Sequence, residues 1–98
     1  MNKYAIYTKW HWSEGIASAE AMQKNMKENL IGKTDAEDII WWKMDDHHHQ
    51  SIIIFSSEDI AKGEFEKRQE MRNKTTSEHK TEMVEEVMGP ILSQLSSL

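Results

Sequence analysis

The chain has 98 residues, of which 38% are hydrophobic and 30% charged, and its formal net charge is −5. This fits a single globular domain over residues 1–98, and the acidic balance argues against a nucleic-acid partner, because such proteins need a basic surface to displace counterions from phosphates. The sequence has no cysteine, which excludes disulfides, thiolate metal ligands and a cysteine nucleophile. It also has no apolar run of membrane-spanning length, so we expect a cytoplasmic protein with no membrane partner.

The first predicted element is a β-strand over residues 3–12, KYAIYTKWHW. Successive side chains of a strand point to opposite faces of the sheet, so the alternation here predicts two distinct faces. The first face would carry Tyr4, Ile6, Thr8, Trp10 and Trp12. The second would carry the residues between them, including Tyr7 and His11.

An amphipathic helix is predicted next, over residues 16–33, IASAEAMQKNMKENLIGK. Ser13 is placed to cap its start, and Gly32 is placed to end it. Apolar residues recur every three or four positions and form one stripe. The stripe consists of Ile16, Ala19, Met22, Met26 and Leu30.

Two apolar runs, residues 37–44 and 51–56, predict a β-hairpin. The polar segment DDHHHQ separates them, and the turn is expected near Asp45 and Asp46, because aspartate readily adopts turn conformations. Both faces of this hairpin are apolar. In the first strand Ile40, Trp42 and Met44 would lie on one face and Ile39 and Trp41 on the other. In the second strand Ile52 and Ile54 would lie opposite Ile53 and Phe55.

The rest of the chain predicts two helices and a last strand. Ser56, followed by Asp59, resembles a helix N-cap and predicts a helix from about Ser57 to about Arg72. Thr75 and Glu78 form a second candidate cap for a short third helix, which the Gly89-Pro90 pair would end. The stripe of that helix would be Met83, Val84, Val87 and Met88. Residues 91–98 suit a helix or a strand, and we favour a strand.

This order of elements predicts an α+β protein of the ferredoxin-like type, βαββαβ, with an antiparallel four-stranded sheet and helices on one face. The other face of such a sheet is normally polar, because it contacts water. Here both faces of the central hairpin are apolar, so we expect a second copy of the chain to cover the face without helices. The predicted partner is therefore a homodimer mate.

The βαββαβ order, the doubly apolar hairpin and the late segment MGPILSQL resemble the dimeric α+β barrel superfamily, particularly its small uncharacterised ferredoxin-like members. The resemblance covers nearly the whole chain. It lies in the order of the elements and the pattern of apolar residues rather than in a specific motif. It implies a ligand cleft between sheet and helices. Members include cofactor-independent monooxygenases, dehydratases and stress-response proteins, and no motif in this chain selects one of these activities.

Two histidine-containing segments are candidate sites. In Asp45–His49, His47 and His49 would share a strand face with Asp45 nearby, which permits either a divalent metal site or a solvated hairpin tip. In WHW, residues 10–12, His11 is the best candidate acid or base if it enters a cleft, and otherwise it caps the following loop.

The leading functional hypothesis is binding of a small apolar molecule, fatty-acid-like or aromatic, with or without catalysis. Methionine and aromatic side chains suit such a ligand. The predicted ligand-binding residues are Tyr7, Trp10, Trp12, Met22, Met26, Trp42, Phe65, His79 and Met83. No cofactor is expected. The chain has neither a glycine-rich phosphate loop nor a Gly-x-Ser-x-Gly segment, which argues against nucleotide binding and against a serine hydrolase. The alternatives are a non-catalytic assembly or regulatory module, and metal binding through Asp45–His49.

Overall fold

The computed structural model describes residues 2–64, 69–70 and 80–98. The four strands form one antiparallel sheet in the order β2-β3-β1-β4. This is the ferredoxin-like strand order, and the predicted α+β fold is confirmed. The elements are β1 (Tyr4–Trp12), α1 (Ala19–Asn29), β2 (Asp38–Asp45), β3 (His48–Phe55), α2 (Glu58–Gly63) and β4 (Thr81–Pro90), followed by a 3-10 turn at Leu95–Ser97.

The alternation predicted for β1 is confirmed, and it defines the two faces of the sheet. The inner face carries the five buried side chains of β1, from Tyr4 to Trp12, and their cross-strand partners. Tyr4 and Ile6 pack there with Phe55 of β3 and Ala61 of α2, which places α2 on this face. The open face carries Ala5, Tyr7, Lys9 and His11 with their cross-strand partners.

The predicted third helix is wrong, because β4 is a strand that pairs with β1 along its length. A bulge opposite Lys9 and Trp10 inserts Val84 as an extra residue and shifts the alternation by one position. The apolar residues therefore recur at 83, 84, 87 and 88, which is the spacing of a helical stripe. Pairing with the central strand of the sheet overrides that local pattern.

The predicted final strand over residues 91–98 is also wrong. The Ile91 N–H donates to the Lys3 carbonyl at 2.7 Å, and the chain then leaves the sheet. Strand β4 already occupies the edge position beside β1. Pro90 has no N–H with which to continue the hydrogen bonds between the strands. Leu92, Leu95 and Leu98 are 93%, 86% and 92% exposed.

Helix α1 is shorter than predicted at both ends. Its N-cap is Ser18, whose Oγ accepts the Ala21 N–H at 3.1 Å, and the predicted cap at Ser13 is wrong. The Ile16 N–H donates to the Asp46 carbonyl at 2.9 Å, which ties the preceding segment to the hairpin turn and delays the helix. Gly32 lies beyond the helix, in the following turn, with a left-handed φ of 75°.

Helix α2 begins at Glu58, one residue later than predicted, because Ser57 rather than Ser56 is its N-cap. The Ser57 Oγ accepts the Ile60 N–H at 3.2 Å. Phe65 and most of the predicted extension toward Arg72, together with the candidate cap at Thr75 and Glu78, lie outside the described residues.

The capping difference predicts a measurable asymmetry between two neighbouring serines. Ser57→Ala should lower the free energy of unfolding by about 1 kcal/mol, because it removes an acceptor for a helix N-terminal N–H. Ser56→Ala should change it by less than about 0.5 kcal/mol, as expected for a position without a capping role. Urea denaturation of both variants measures the difference. The reverse order would show that Ser56 caps the helix.

The hairpin turn lies at residues 46–47, and the His47 N–H donates to Asp45 Oδ1 at 2.8 Å. Strand β3 begins at His48, three residues earlier than predicted, because His48 and His49 pair with His11 and Trp10 of β1. Two of the three histidines are therefore sheet residues. Within the part of the chain described here, no helix is long and apolar enough to span a membrane.

Candidate functional site

A buried histidine surrounded by three indole rings is the most distinctive feature of the inner face. His49 pairs with Trp10 across β1 and β3, and only 7% of its surface is exposed. The Trp10 ring is parallel to the imidazole to within 2°, with centroids 6.2 Å apart. The Trp12 and Trp41 rings are inclined to it by 61° and 58°, each with a centroid separation of 5.8 Å. These four residues are called the tryptophan–histidine site.

The positions of these side chains follow from strand geometry and register. Trp10 and Trp12 share a face because they are two residues apart on β1. Trp41 of β2 pairs with Ser51 of β3, and Ser51 is two residues from His49, so Trp41 and His49 also share that face. Residues far apart in sequence therefore meet because β1 and β2 flank β3.

The hydrogen bond from Trp12 fixes the tautomer of His49. Trp12 Nε1–H donates to His49 Nδ1 at 2.8 Å. An indole nitrogen can only donate, so Nδ1 must accept, and the proton of the neutral imidazole is on Nε2. Burial lowers the pKa of His49 from 6.5 to about 4, so the ring is neutral at pH 7. Nε2–H has no acceptor among the described residues.

A second polar group without a partner lies on the same face. Thr81 of β4 pairs with Trp12 and is only 2% exposed. Its Oγ1 is buried and has no hydrogen-bond partner within residues 2–64, 69–70 and 80–98. Leaving a buried hydroxyl unpaired typically costs about 1–3 kcal/mol. Such a group in a native protein requires an explanation, and a bound ligand is one.

A neighbouring polar pair, by contrast, has its hydrogen bonds formed within the protein. The hydroxyls of Thr8 and Ser51 bond to each other, and both residues are 2% exposed. Trp10 Nε1–H donates to Thr8 Oγ1 at 3.1 Å. This chain of bonds fixes the orientation of the Trp10 ring, and so the pair positions one wall of the site.

The residues predicted from sequence to bind a ligand fall into four groups. Trp10 and Trp12 belong to the tryptophan–histidine site, and Met83 pairs with Trp10 on the same face. Met22 and Met26 are half-buried on α1. Tyr7 and Trp42 lie on the open face, while Phe65 and His79 lie outside the described residues.

Tyr7 and Trp42 are joined through Gln50 on the open face. Trp42 Nε1–H donates to Gln50 Oε1 at 2.8 Å, and Gln50 Nε2–H donates to the Tyr7 hydroxyl at 2.7 Å. The three side chains thus form a hydrogen-bonded row across β2, β3 and β1. The sheet separates them from Trp10 and Trp12, so the predicted ligand-binding set does not form one site.

His11, the predicted acid or base, also lies on the open face, where it pairs with His48 and Glu82. Its ring centroid is 5.0 Å from that of His48 and 6.2 Å from that of His47. This arrangement places His11 on the side of the sheet opposite to Trp10 and Trp12.

The three consecutive histidines have three different environments. His48 Nδ1 is 2.9 Å from Asp45 Oδ1, His47 Nδ1 is 2.8 Å from the Trp12 carbonyl, and His49 points to the inner face. The described residues contain no group of three or more histidine, aspartate or glutamate side chains arranged to hold a metal ion. The geometry of Asp45–His49 therefore gives no support to a single metal site.

The sequence predicts His49 only as a candidate metal ligand, and it does not predict Trp41 or Thr81 as site residues. Alternation back from Phe55 through Ile53 and Ser51 places His49 on the inner face only if β3 extends back to His48. The sequence does not show that extension, because the histidine run resembles a solvated turn. Thr81 had no such signal, since its region resembles a helix in sequence.

Comparison with solved structures supports the fold. The chain is similar to the NE2512 protein of unknown function from Nitrosomonas europaea, with a TM-score of 0.57 and 11% sequence identity over 96% of this chain and 93% of that one. At this identity the likeness establishes the fold alone. No protein-family model matches the chain. No curated protein matches it either.

Proposed function

We propose that this protein is a homodimer that binds a small, largely apolar, aromatic molecule on the inner face of its sheet, at the tryptophan–histidine site. One observation carries the proposal: three indole rings surround a buried imidazole whose Nε2–H lacks an acceptor among the described residues. Ligand sites are typically apolar and aromatic, with a few polar groups that orient the ligand. Thr81 Oγ1 adds a second such group.

The incomplete burial of α1 supports the same proposal. Every residue of α1 stays at least partly exposed, and the stripe residues Met22 and Met26 are only half-buried. A helix that served only to complete a core would bury its apolar stripe. Methionine side chains are flexible and polarisable, so these two suit contact with a ligand of variable shape.

The chemistry of the site favours binding over acid–base catalysis. A general base works best with a pKa near the working pH, and the pKa of His49 is lowered to about 4. Its Nδ1 is also occupied by Trp12. His49 is therefore suited to donate a hydrogen bond from Nε2 and poorly suited to accept a proton.

The homodimer part of the proposal rests on the open face. Ile40 and Val87 are 50% and 58% exposed there, and Trp42 is 38% exposed. Ile40 and Trp42 lie on the edge strand β2, and Val87 lies on the other edge strand, β4. Ile52 and Ile54 of β3 lie between these two edges. An apolar surface drawn from all four strands is typical of an interface, and a second copy is the simplest partner.

Two adjacent tryptophans provide a matched test of the binding proposal. Trp41 lies on the inner face and Trp42 on the open face. Trp41→Ala should weaken binding of the fluorescent aromatic ketone prodan about tenfold, because it removes one wall of the site. Trp42→Ala should leave the affinity within about twofold and instead weaken dimerisation. Titration of prodan fluorescence at fixed protein concentration, with sedimentation in parallel, measures both effects.

The alternative function is a non-catalytic assembly module. The exposed leucines of the segment after β4 and the apolar open face favour it, because both are suited to protein contacts. This alternative predicts no prodan binding by the wild-type protein. It also predicts that native mass spectrometry of untagged protein, followed by denaturation, releases no bound small molecule.

A further inference from the structure

The polar groups of the tryptophan–histidine site select a kind of ligand. We infer that the ligand carries an uncharged hydrogen-bond acceptor, such as a carbonyl oxygen, on its aromatic ring, and that His49 Nε2–H donates to it. This inference rests on the proposed function, because it assumes that the site binds a ligand.

His49 acts only as a hydrogen-bond donor toward the site. An imidazole can normally present either a donor or an acceptor at Nε2, depending on its tautomer. Here Trp12 Nε1–H occupies Nδ1 at 2.8 Å and so keeps the proton on Nε2. A ligand donor, such as an ammonium group, would have no acceptor on this ring.

Within the described part of the chain, the site offers no positive charge to a ligand acid. His49 is neutral at pH 7, because burial lowers its pKa to about 4. Lys43 pairs with His49 across the strands, but its Nζ lies 3.0 Å from Asp46 Oδ1 and its side chain is 62% exposed. Glu86, another ionisable residue placed on the inner face, is acidic and would not attract a carboxylate.

The Thr81 hydroxyl, beside Trp12, is a second hydrogen-bond donor on the inner face. Thr81 is 2% exposed, and its Oγ1 has no partner in the described part of the chain. Thr81 of β4 and His49 of β3 lie on opposite sides of β1, so the two donors would serve different parts of a ligand. Neither donor carries a charge at pH 7.

Four naphthalene derivatives test this inference: methyl naphthyl ketone, ethylnaphthalene, naphthoic acid and naphthylmethylamine. They share one ring system and differ in the polar group. At pH 7 the wild-type protein should bind the ketone about tenfold more tightly than ethylnaphthalene, because of the hydrogen bond from His49. The acid and the amine should bind more weakly than the ketone. Isothermal titration calorimetry gives the four dissociation constants.

The variant His49→Phe should abolish the preference for the ketone, because its affinity for the ketone should fall about tenfold more than its affinity for ethylnaphthalene. His11→Phe is the matched control, because His11 lies on the opposite face, and it should preserve the preference. If His49→Phe does not fold, the wild-type protein still provides a test. In histidine-labelled protein, the ketone should shift the NMR signal of His49 Nε2–H more than ethylnaphthalene does.

The outcomes distinguish a failure of the proposed function from a failure of the inference about the ligand's acceptor group. If no probe binds the wild-type protein, the proposed function fails, and the inference fails with it. If the probes bind but naphthoic acid binds most tightly, or if His49→Phe keeps the ketone preference, the inference is overturned and the proposed function stands. Equal NMR shifts with ketone and hydrocarbon would also overturn the inference.

Discussion

Lysine at two positions of the open face should convert a dimer into a folded monomer. We expect the wild-type protein to sediment as a dimer at micromolar concentration, and the Ile40→Lys, Val87→Lys double variant to sediment as a monomer. The two residues are 50% and 58% exposed, so their replacement should not disturb the core of the single chain. The dissociation constant should rise at least about 100-fold, because two-fold symmetry places four new charges in an apolar interface.

The part of the open face around Gln50 is suited to burial, because its polar side chains have hydrogen-bond partners within the face. The Trp42 indole, the Gln50 amide and the Tyr7 hydroxyl bond to one another at 2.8 and 2.7 Å. A buried polar group costs stability unless it is hydrogen-bonded, and these groups would not be left unpaired when water is removed. The aliphatic residues around them would then supply the favourable burial.

Ile31→Lys is the control for this experiment. Ile31 is 68% exposed and follows α1 rather than belonging to a strand, so it tests whether any added lysine affects assembly. It should leave the dimer intact. Far-UV circular dichroism of all variants checks that they are folded. A wild-type protein that sediments as a monomer at micromolar concentration would disprove the homodimer.

Acid should destabilise the protein through His49. Its pKa is about 4 in the folded protein, below the ordinary value of 6.5 expected for the unfolded chain. As the pH falls through this window, the unfolded chain gains a proton on His49 that the folded protein does not, and stability is lost. The shift corresponds to a loss of about 3 kcal/mol between pH 6.5 and pH 4. Below the folded pKa both states are protonated, and the loss from this group stops.

Comparison with His49→Phe isolates this contribution, because carboxylates also titrate in part of the same range. Urea denaturation at fixed protein concentration, in steps from pH 7 to about pH 4, should show the free energy of unfolding of the wild type falling by about 3 kcal/mol more than that of His49→Phe. His11→Phe should follow the wild-type curve, apart from a constant offset. Parallel curves for the wild type and His49→Phe would mean that His49 is not buried as a neutral group.

The sequence determined the features that depend on neighbouring residues along one strand. Alternation over KYAIYTKWHW placed Trp10 and Trp12 on one face and His11 on the other, and the structure agrees. The two apolar runs on either side of DDHHHQ likewise predicted the β-hairpin and the apolar side chains on both of its faces, and the structure agrees. The ferredoxin-like order followed, even though the element counted as its last strand was the wrong segment.

Only the tertiary structure determined which segment forms β4 and where His49 points. Residues 81–90 have a helical spacing of apolar side chains because a bulge interrupts their alternation, and only pairing with β1 makes them a strand. His49 looks like part of a polar turn until register with Trp10 extends β3 back to His48. Both outcomes depend on hydrogen bonds between strands that are distant in sequence, and a local pattern carries no information about those partners.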